Sequence, residues 1–397
     1  MGGVTMDDIF ITGSARTAIG SFQGAFSTLS APELGGHAIQ AALTQSGIDA
    51  TAIDDVIMGC VLPAGLGQAP ARQAGFHAGL SHSIPATTVN KMCGSGMKAV
   101  MLGYDQLASG DVNTVITGGM ESMTNAPYLS GGLRGGSRLG HQTLQDHMFL
   151  DGLEDAYDKG VLMGCFAEDC AEYYQFSRAD QDDYALSSLT RALAAQKKGR
   201  FDAEITPITI KDRKQTLHIC KDEQPATALP DKISQLKPAF RDGGSVTAAN
   251  SSSISDGAAA LILASGDMVS AHGLTARARI VGHASFAHEP GWFTTAPVYA
   301  AQKLLAKIGW QTEDVELWEV NEAFAVVPMA FVRELELSDD IININGGACA
   351  LGHPIGASGA RILVSLLTAM ESRDVARGIA AICLGGGEGI AVAVERL

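Results

Sequence analysis

The sequence predicts a duplicated α/β fold with a loop-rich region inserted between its two halves, and three observations carry that expectation. A strand, a glycine turn, an apolar helix and a second strand occur twice in the same order, from Val89 and again from Ile341. Each occurrence is preceded by its own helix feeding a strand. Between them lies a stretch of different character, roughly Met123 to Asn250, rich in loops and in lysine and arginine. Two similar halves that alternate strand and helix imply mixed or parallel sheets buried between helix layers.

In the first half, Leu34 to Gln45 reads as a helix that leads through Gly47-Ile-Asp to a strand at Val56 to Met58. Cys93-Gly-Ser-Gly96 then forms a turn, and Ala99, Val100, Leu102 and Leu107 mark the apolar face of the helix after it. A strand from Val112 to Thr117 ends in Gly118-Gly-Met-Glu121. The inserted region opens with loops at Gly131-Gly and Gly135-Gly and continues as polar helices around Glu168 to Tyr174 and Ala179 to Lys198. Long insertions in compact α/β domains carry binding function, so this one reads as a lid. Ser251 to Ser265 reads as the turn, helix and strand that return to the first half.

In the second half, Pro297 to Ile308 is helical and leads through Gly309-Trp to a strand at Val315 to Val320. A strand from Ile341, a glycine turn, a helix from Ile362 to Met370 and a strand from Ile379 to Leu384 follow, closing on Gly385-Gly-Gly-Glu388. The expected division is residues 1–122 with 251–276, an inserted 123–250, and 277–397. Pseudo-twofold symmetry should bring the glycine turns together where the halves meet.

At 397 residues and 46% hydrophobic content the chain can bury a large core. Met1 to Thr12 lacks the basic start and apolar run of a secretory signal. No apolar stretch approaches the roughly 20 residues of a membrane span. A cytoplasmic protein without a membrane partner is expected. The net charge of −15 argues against a nucleic-acid partner. Locally, Arg191 to Arg241 holds 11 Lys or Arg against 6 Asp or Glu, either a landing place for an anionic ligand or a solvated, salt-bridged surface. The seven cysteines follow no disulfide framework and no zinc spacing, so reduced thiols and no metal site are expected.

Cys93 sits between a strand and a helix start, where free N–H groups favour a thiolate. A lone cysteine is otherwise an apolar filler, but Gly94, Ser95 and Gly96 would let a ligand approach the backbone. His353, between Gly352 and Pro354, projects from a fixed turn, and an imidazole beside a thiol is the usual means of activating it. Cys383 precedes three glycines, whose backbone donors could form an oxyanion hole. Asn321, in Asn321-Glu-Ala-Phe324, stands at a strand end. It reads either as part of the site or as the N-cap of a helix from Ala323 to Leu335, and both roles could coexist.

Taken together, Ala15-Arg-Thr17, Gly67-Gln68, the Cys93 turn, Gly118-Gly-Met-Glu121, Asn321-Glu-Ala-Phe324, the run from Asn345 through His353 to Arg361, and Cys383-Leu-Gly-Gly-Gly resemble the thiolase family across nearly the whole chain. The resemblance implies a five-layered α-β-α-β-α core with an inserted loop domain. It also implies a homotetramer built as a dimer of dimers, or a homodimer, with Tyr128 to Leu139 as a candidate tetramer contact. It implies interconversion of two acetyl-CoA with acetoacetyl-CoA and CoA, with coenzyme A thioesters as substrates and no permanently bound cofactor. Cys93 would carry the acyl group, His353 would activate it, and Asn321 would hold a water that helps His353 stabilise the enolate. Cys383 would act as acid and base, and the N–H groups of Cys93 and Gly385 would form a second oxyanion hole.

Coenzyme A contacts are implied at Ser252 and Ala248, in Ala248-Ala-Asn-Ser-Ser-Ser253, and at Leu162, Met163 and Phe324, with Met163 lining the acyl pocket. Leu162 stands where many members carry histidine, Ala226 where a lid arginine is frequent, and Glu388 where methionine or glutamine is common. Glu388 reads as an exposed turn residue in preference to a buried acid that perturbs Cys383. Within the family the alternative is a degradative thiolase acting on longer 3-ketoacyl chains. Outside that chemistry stand a non-catalytic acyl-CoA-binding protein and a cysteine hydrolase in which Cys383 would be idle.

Overall fold

A computed structural model describes residues 8–211 and 216–397. Met1 to Asp7, part of the N-terminal stretch, and Arg213 and Lys214 of the basic stretch lie outside the described residues.

The first half contributes strands β1 (Ile9–Thr17), β2 (Asp55–Gly59), β3 (Ala86–Val89), β4 (Thr114–Ser122) and β5 (Ser255–Ser265). The second contributes β6 (Ala278–Ala287), β7 (Leu317–Val320), β8 (Arg377–Leu384) and β9 (Glu388–Arg396). They lie in the order β7-β8-β9-β6-β1-β5-β4-β2-β3. The halves follow the same plan. In each, the first strand pairs antiparallel with the last, which pairs antiparallel with the fourth, which runs parallel to the second. They join through their equivalent first strands, Phe10 opposite Arg279 and Ile11 opposite Ala278. The third strand is lost from the second half, where Ile341 onward was expected to be a strand. Only a parallel bridge between Trp318 and Ile342 survives there.

Alternation along the strands makes the layers. Val115, Leu261, Leu263, Ile382 and Val392 face a central layer of α3 (Ser95–Ala108) and α8 (Ile355–Arg373). The other main helices are α1 (Ala31–Ser46), α2 (Pro70–His77), α4 (Met163–Tyr174), α5 (Arg178–Lys197), α6 (Ala296–Ile308) and α7 (Val326–Leu335). Ile116, Ile262 and Met120 face α1 and α2 on one outside. Ile379, Ala381 and Ala391 face α6 and α7 on the other. This is the five-layered arrangement, and period-two side-chain direction is its cause.

α3 and α8 cross by reciprocal glycine contact. A Cβ on Gly96 would lie 2.8 Å from Ala360 N, and one on Gly359 would lie 2.6 Å from Met97 N. Any side chain at either position would force the helices apart, and the turns preceding them, which carry Cys93 and His353, would separate with them.

Two further expectations fail. Ser255 to Ser265 is one continuous strand with no helix, because a strand buried on both faces reads as an uninterrupted apolar run and its alanines look helical. Gly118-Gly-Met-Glu121 lies inside β4 and does not end it: a Cβ on Gly119 would sit 2.1 Å from Gly356 O, so the glycine serves strand-to-helix contact. Among the described residues no helix is long and apolar enough to cross a membrane.

Candidate active site

The Cys93 turn is built by its neighbours. Met92 has φ 47°, a left-handed conformation that side chains rarely adopt. It is held by Asn90 Oδ1, which accepts from Met92 N at 3.0 Å, and by Ser95 Oγ, which donates to Met92 O at 2.6 Å and accepts from Lys91 N at 2.8 Å. Gly94 lets this turn close against the end of β8, since a Cβ there would lie 2.1 Å from Leu384 Cδ2. Cys93 is half-buried beside the apolar group of Val61, Leu62, Met123, Met148 and Ile355.

Burial pushes the Cys93 thiol up to about 11, only partly opposed by the N–H groups of Gly385 and of Cys93 itself, which point at the sulfur. Desolvation opposes the helix start expected to favour a thiolate, and holds Cys93 toward the thiol. Its alkylation by iodoacetamide, followed on the Cys93 peptide by mass spectrometry, should climb about tenfold per pH unit between pH 7 and 9. A rate already level across that range would contradict this. Cys383 is wholly buried at the end of β8. Burial, and then the adjacent Cys93, hold its thiol well above the ordinary range.

His353 follows Gly352, and its N–H donates to Ser253 O at 3.1 Å. Its Nδ1 lies 2.6 Å from Ser358 Oγ, and that hydroxyl donates its one proton to Pro354 O at 3.0 Å. With the hydroxyl proton on Pro354 O, Nδ1 carries the ring proton and Nε2 is a bare lone pair. Nε2 is buried and has no hydrogen-bond partner. Burial, and secondarily Arg361, press the imidazole down to about 3, so it is neutral.

Asn321 is fully buried at the end of β7, with its N–H on Ala381 O at 3.0 Å. It is not a helix N-cap: α7 begins at Val326 behind Ala325, with no capping side chain. Its Oδ1 accepts from Arg361 Nη2 at 3.5 Å, and its Nδ2 is unpartnered.

Two carboxylates that sequence reasoning left without a role hold these turns. Glu121 accepts from Val61 N at 2.9 Å, Leu62 N at 3.1 Å and Gly356 N at 2.9 Å, tying the residues after β2 to the turn after His353. Burial still raises it to about 7. Glu322 accepts from Tyr184 Oη at 2.9 Å, Ser188 Oγ at 2.7 Å, Asn343 Nδ2 at 2.9 Å and Cys349 N at 3.0 Å, tying α5 to the approach to His353. For Glu121 the signal was available, a lone acid inside a glycine-rich and apolar run; Glu322, in a run that also holds Glu319 and Asn321, carried no such mark.

Of the residues implied for coenzyme A, Met163 opens α4, its sulfur 3.6 Å from where a Cβ on Gly385 would stand. Phe324 packs edge-on against Phe240 and Phe293, at 5.9 and 6.4 Å between ring centroids, in the apolar cluster that also holds Met163. Phe240 and Phe293 were missed. Ser252 donates its hydroxyl proton to Ala323 O at 2.9 Å and can only accept from a ligand. Ala248 is exposed, and Leu162 is half-buried in a bridge with Glu154. Glu388 is neither alone nor beside Cys383 as an acid; it pairs with Lys91. In the basic stretch, Arg191 bonds the carbonyls of Ile342 and Asp339, Arg200 bonds Asn345 and Arg241 pairs with Asp169, while Lys197, Lys198, Lys211, Lys221, Lys232 and Lys237 are exposed. Among the described residues no group of three or more His, Cys, Asp or Glu is placed to hold a metal ion.

Residues 9–267 match the family model for the thiolase N-terminal domain, and residues 274–396 match that for the thiolase C-terminal domain. An acetyl-CoA acetyltransferase of Pseudomonas aeruginosa is 48% identical over 98% of this chain and 100% of its own length. Acetyl-CoA acetyltransferase 2 of Arabidopsis thaliana is 46% identical over 98% of this chain and 97% of its own. The crystal structure of the Bacillus anthracis acetyl-CoA acetyltransferase superposes with a TM-score of 0.96 at 39% identity, covering both chains completely. Matched end to end by both domain models and by these relatives, the chain belongs to the thiolase family.

Proposed function

We propose that the protein is an acetyl-CoA C-acetyltransferase that joins two acetyl-CoA molecules into acetoacetyl-CoA and free CoA, and runs the reverse thiolysis, through an acyl-Cys93 intermediate. The observation that carries this reading is the pairing of two thiols at one site. Cys93 lies under the N–H groups of Cys93 and Gly385, Cys383 is beside it, and both are neutral at rest. A hydrolase needs one such thiol; carbon–carbon bond formation needs a nucleophile and a separate base.

The protons balance as follows. His353 Nε2 takes the Cys93 proton, the thiolate attacks the acetyl carbonyl, and the two N–H groups hold the resulting oxyanion. CoA leaves as a thiolate and takes the proton of Cys383. The Cys383 thiolate then removes an α-proton from a second acetyl-CoA, whose developing enolate is met by protonated His353 Nε2 and by Asn321 Nδ2, directly or through a water. The enolate carbon attacks acetyl-Cys93, and the departing Cys93 recovers its proton from His353. Residues 123–250 serve as the lid of this reading, with Ser252, Ala248 and Leu162 on the coenzyme A side and Met163 and Phe324 on the acyl side.

The cytoplasm, where thiols stay reduced, is the compartment in which seven free cysteines are stable. Assembly as a dimer or a dimer of dimers is supported by the exposed Tyr128, Leu133, Leu139 and Leu144 on the arm of the lid.

The test is cleavage of acetoacetyl-CoA and a series of longer 3-ketoacyl-CoAs by free CoA, with Cys93→Ala as control. Activity confined to the four-carbon substrate and lost in the variant is expected. Equal activity on ten-carbon chains would make the protein a degradative thiolase, and release of free acid would make it a hydrolase. Absence of turnover would leave an acyl-CoA-binding protein.

A further inference from the structure

We infer that Arg361 is a positioning residue for the enolate-forming half of the reaction, acting through Asn321; this rests on the function proposed above. Arg361 lies three residues beyond Ser358 on α8, so both project from one face of the helix. Ser358 orients His353, and Arg361 reaches Asn321. One helix face thus orients two side chains that arrive from separate turns, His353 from the turn before α8 and Asn321 from the end of β7.

The guanidinium is 2% exposed. Its Nη1 is held by Glu319 at 3.2 Å, and Glu319 sits on β7 two residues before Asn321. Arginine carries donors and no acceptor. Only the oxygen end of the Asn321 amide can therefore face it, and the NH2 end must turn the other way. That end, Asn321 Nδ2, is buried without a partner, as is His353 Nε2. The nearness of Arg361 to His353 also shows in the imidazole, which the cation helps to keep neutral. Asn321 Nδ2 is a donor as it stands, and His353 Nε2 becomes one once it has taken the Cys93 proton; together they are the two donors that the enolate oxygen requires.

Without Arg361 nothing distinguishes the two faces of the amide, because rotation about the last torsion of asparagine is broad and roughly two-fold. A flipped Asn321 would present its carbonyl oxygen to a developing negative charge. The acylation half of the reaction uses the N–H groups of Cys93 and Gly385 and does not depend on this amide.

The experiment separates the two halves. Acylation is followed as exchange of labelled CoA into acetyl-CoA, and condensation as formation of acetoacetyl-CoA. In Arg361→Gln, condensation should fall ~100-fold, the size of effect found when one oxyanion donor is lost. CoA exchange should stay within about threefold, and acetyl-Cys93 should accumulate in the intact-mass spectrum. Adding Asn321→Ala to Arg361→Gln should cost little more, because the two act as one unit. Arg361→Gln leaves Glu319 buried without its cation; the double variant Glu319→Gln/Arg361→Gln removes both charges and gives the same split if the single variant does not fold. An equal fall in both half-reactions, or no fall in either, would overturn the inference. Absence of CoA exchange in the unmodified protein would overturn the proposed function instead.

Discussion

Replacing His353 with glutamine should lower turnover about 10³-fold in both directions, because the base proposed to receive the Cys93 proton, a buried and unpartnered imidazole nitrogen, is removed. The size of the loss follows from the resting thiol. Cys93 is held near 11 by burial, so at neutral pH about one molecule in 10⁴ would be thiolate without a base to receive the proton. Glutamine keeps a polar side chain in the space and can donate a hydrogen bond to an oxyanion. It cannot accept the proton of a thiol. The variant should therefore retain coenzyme A binding, read as an unchanged KM, while kcat collapses.

The same substitution carries a stability signature of defined sign. His353 titrates at about 3 in the folded protein, below its ordinary 6.5. Between these values the unfolded chain binds a proton that the folded protein refuses. Stability due to this residue is thus present above pH 6.5 and lost as pH falls toward 3. Relative to His353→Gln, the unmodified protein should lose about 1.4 kcal/mol per pH unit well inside that window. Urea denaturation at pH 7, 5.5 and 4.5 measures it, and parallel pH dependence in the two proteins would show that His353 is not buried neutral.

Much of the candidate site was legible because its proposed groups sit on or beside turns, and turns are written in glycine. Cys93, His353 and Cys383 each stand where an apolar run meets a glycine cluster, and the repeat of that punctuation exposed the duplication. What remained illegible were the contacts that cross between distant segments. Asn321 looked like a helix cap, yet its carbonyl is claimed by Arg361, forty residues away. Cys93 looked like a thiolate at a helix start, but burial depends on Leu384, Met123 and Ile355, which no local window contains. The alanine run of β5 was misread because propensity favours helix there, and only packing on both faces makes it a strand.

Glu322 is the strongest case of a residue whose importance sequence could not grade, and its replacement should be strongly destabilising. Both carboxylate oxygens are engaged: Oε1 by Tyr184 and Asn343, Oε2 by Ser188 and the Cys349 N–H. Alanine would orphan these donors, at about 1–3 kcal/mol for each that stays buried and unsatisfied. Hydroxyls can turn to other partners, so a total of about 4 kcal/mol is expected, read as a lower urea midpoint. Glutamine should rescue little of it. Whichever end carries the NH2 would face a donor that cannot reverse. On one side is the Cys349 N–H. On the other is Asn343 Nδ2, whose own carbonyl is fixed by Val320 N at 2.8 Å. The functional loss should follow the same line, since Glu322 anchors α5 to the turn at Cys349, the approach to His353. An E322Q protein with an unchanged midpoint would mean that residues 123–250 are held by their other contacts, such as Arg16 with Glu204 and Asp222, and that Glu322 is dispensable to them.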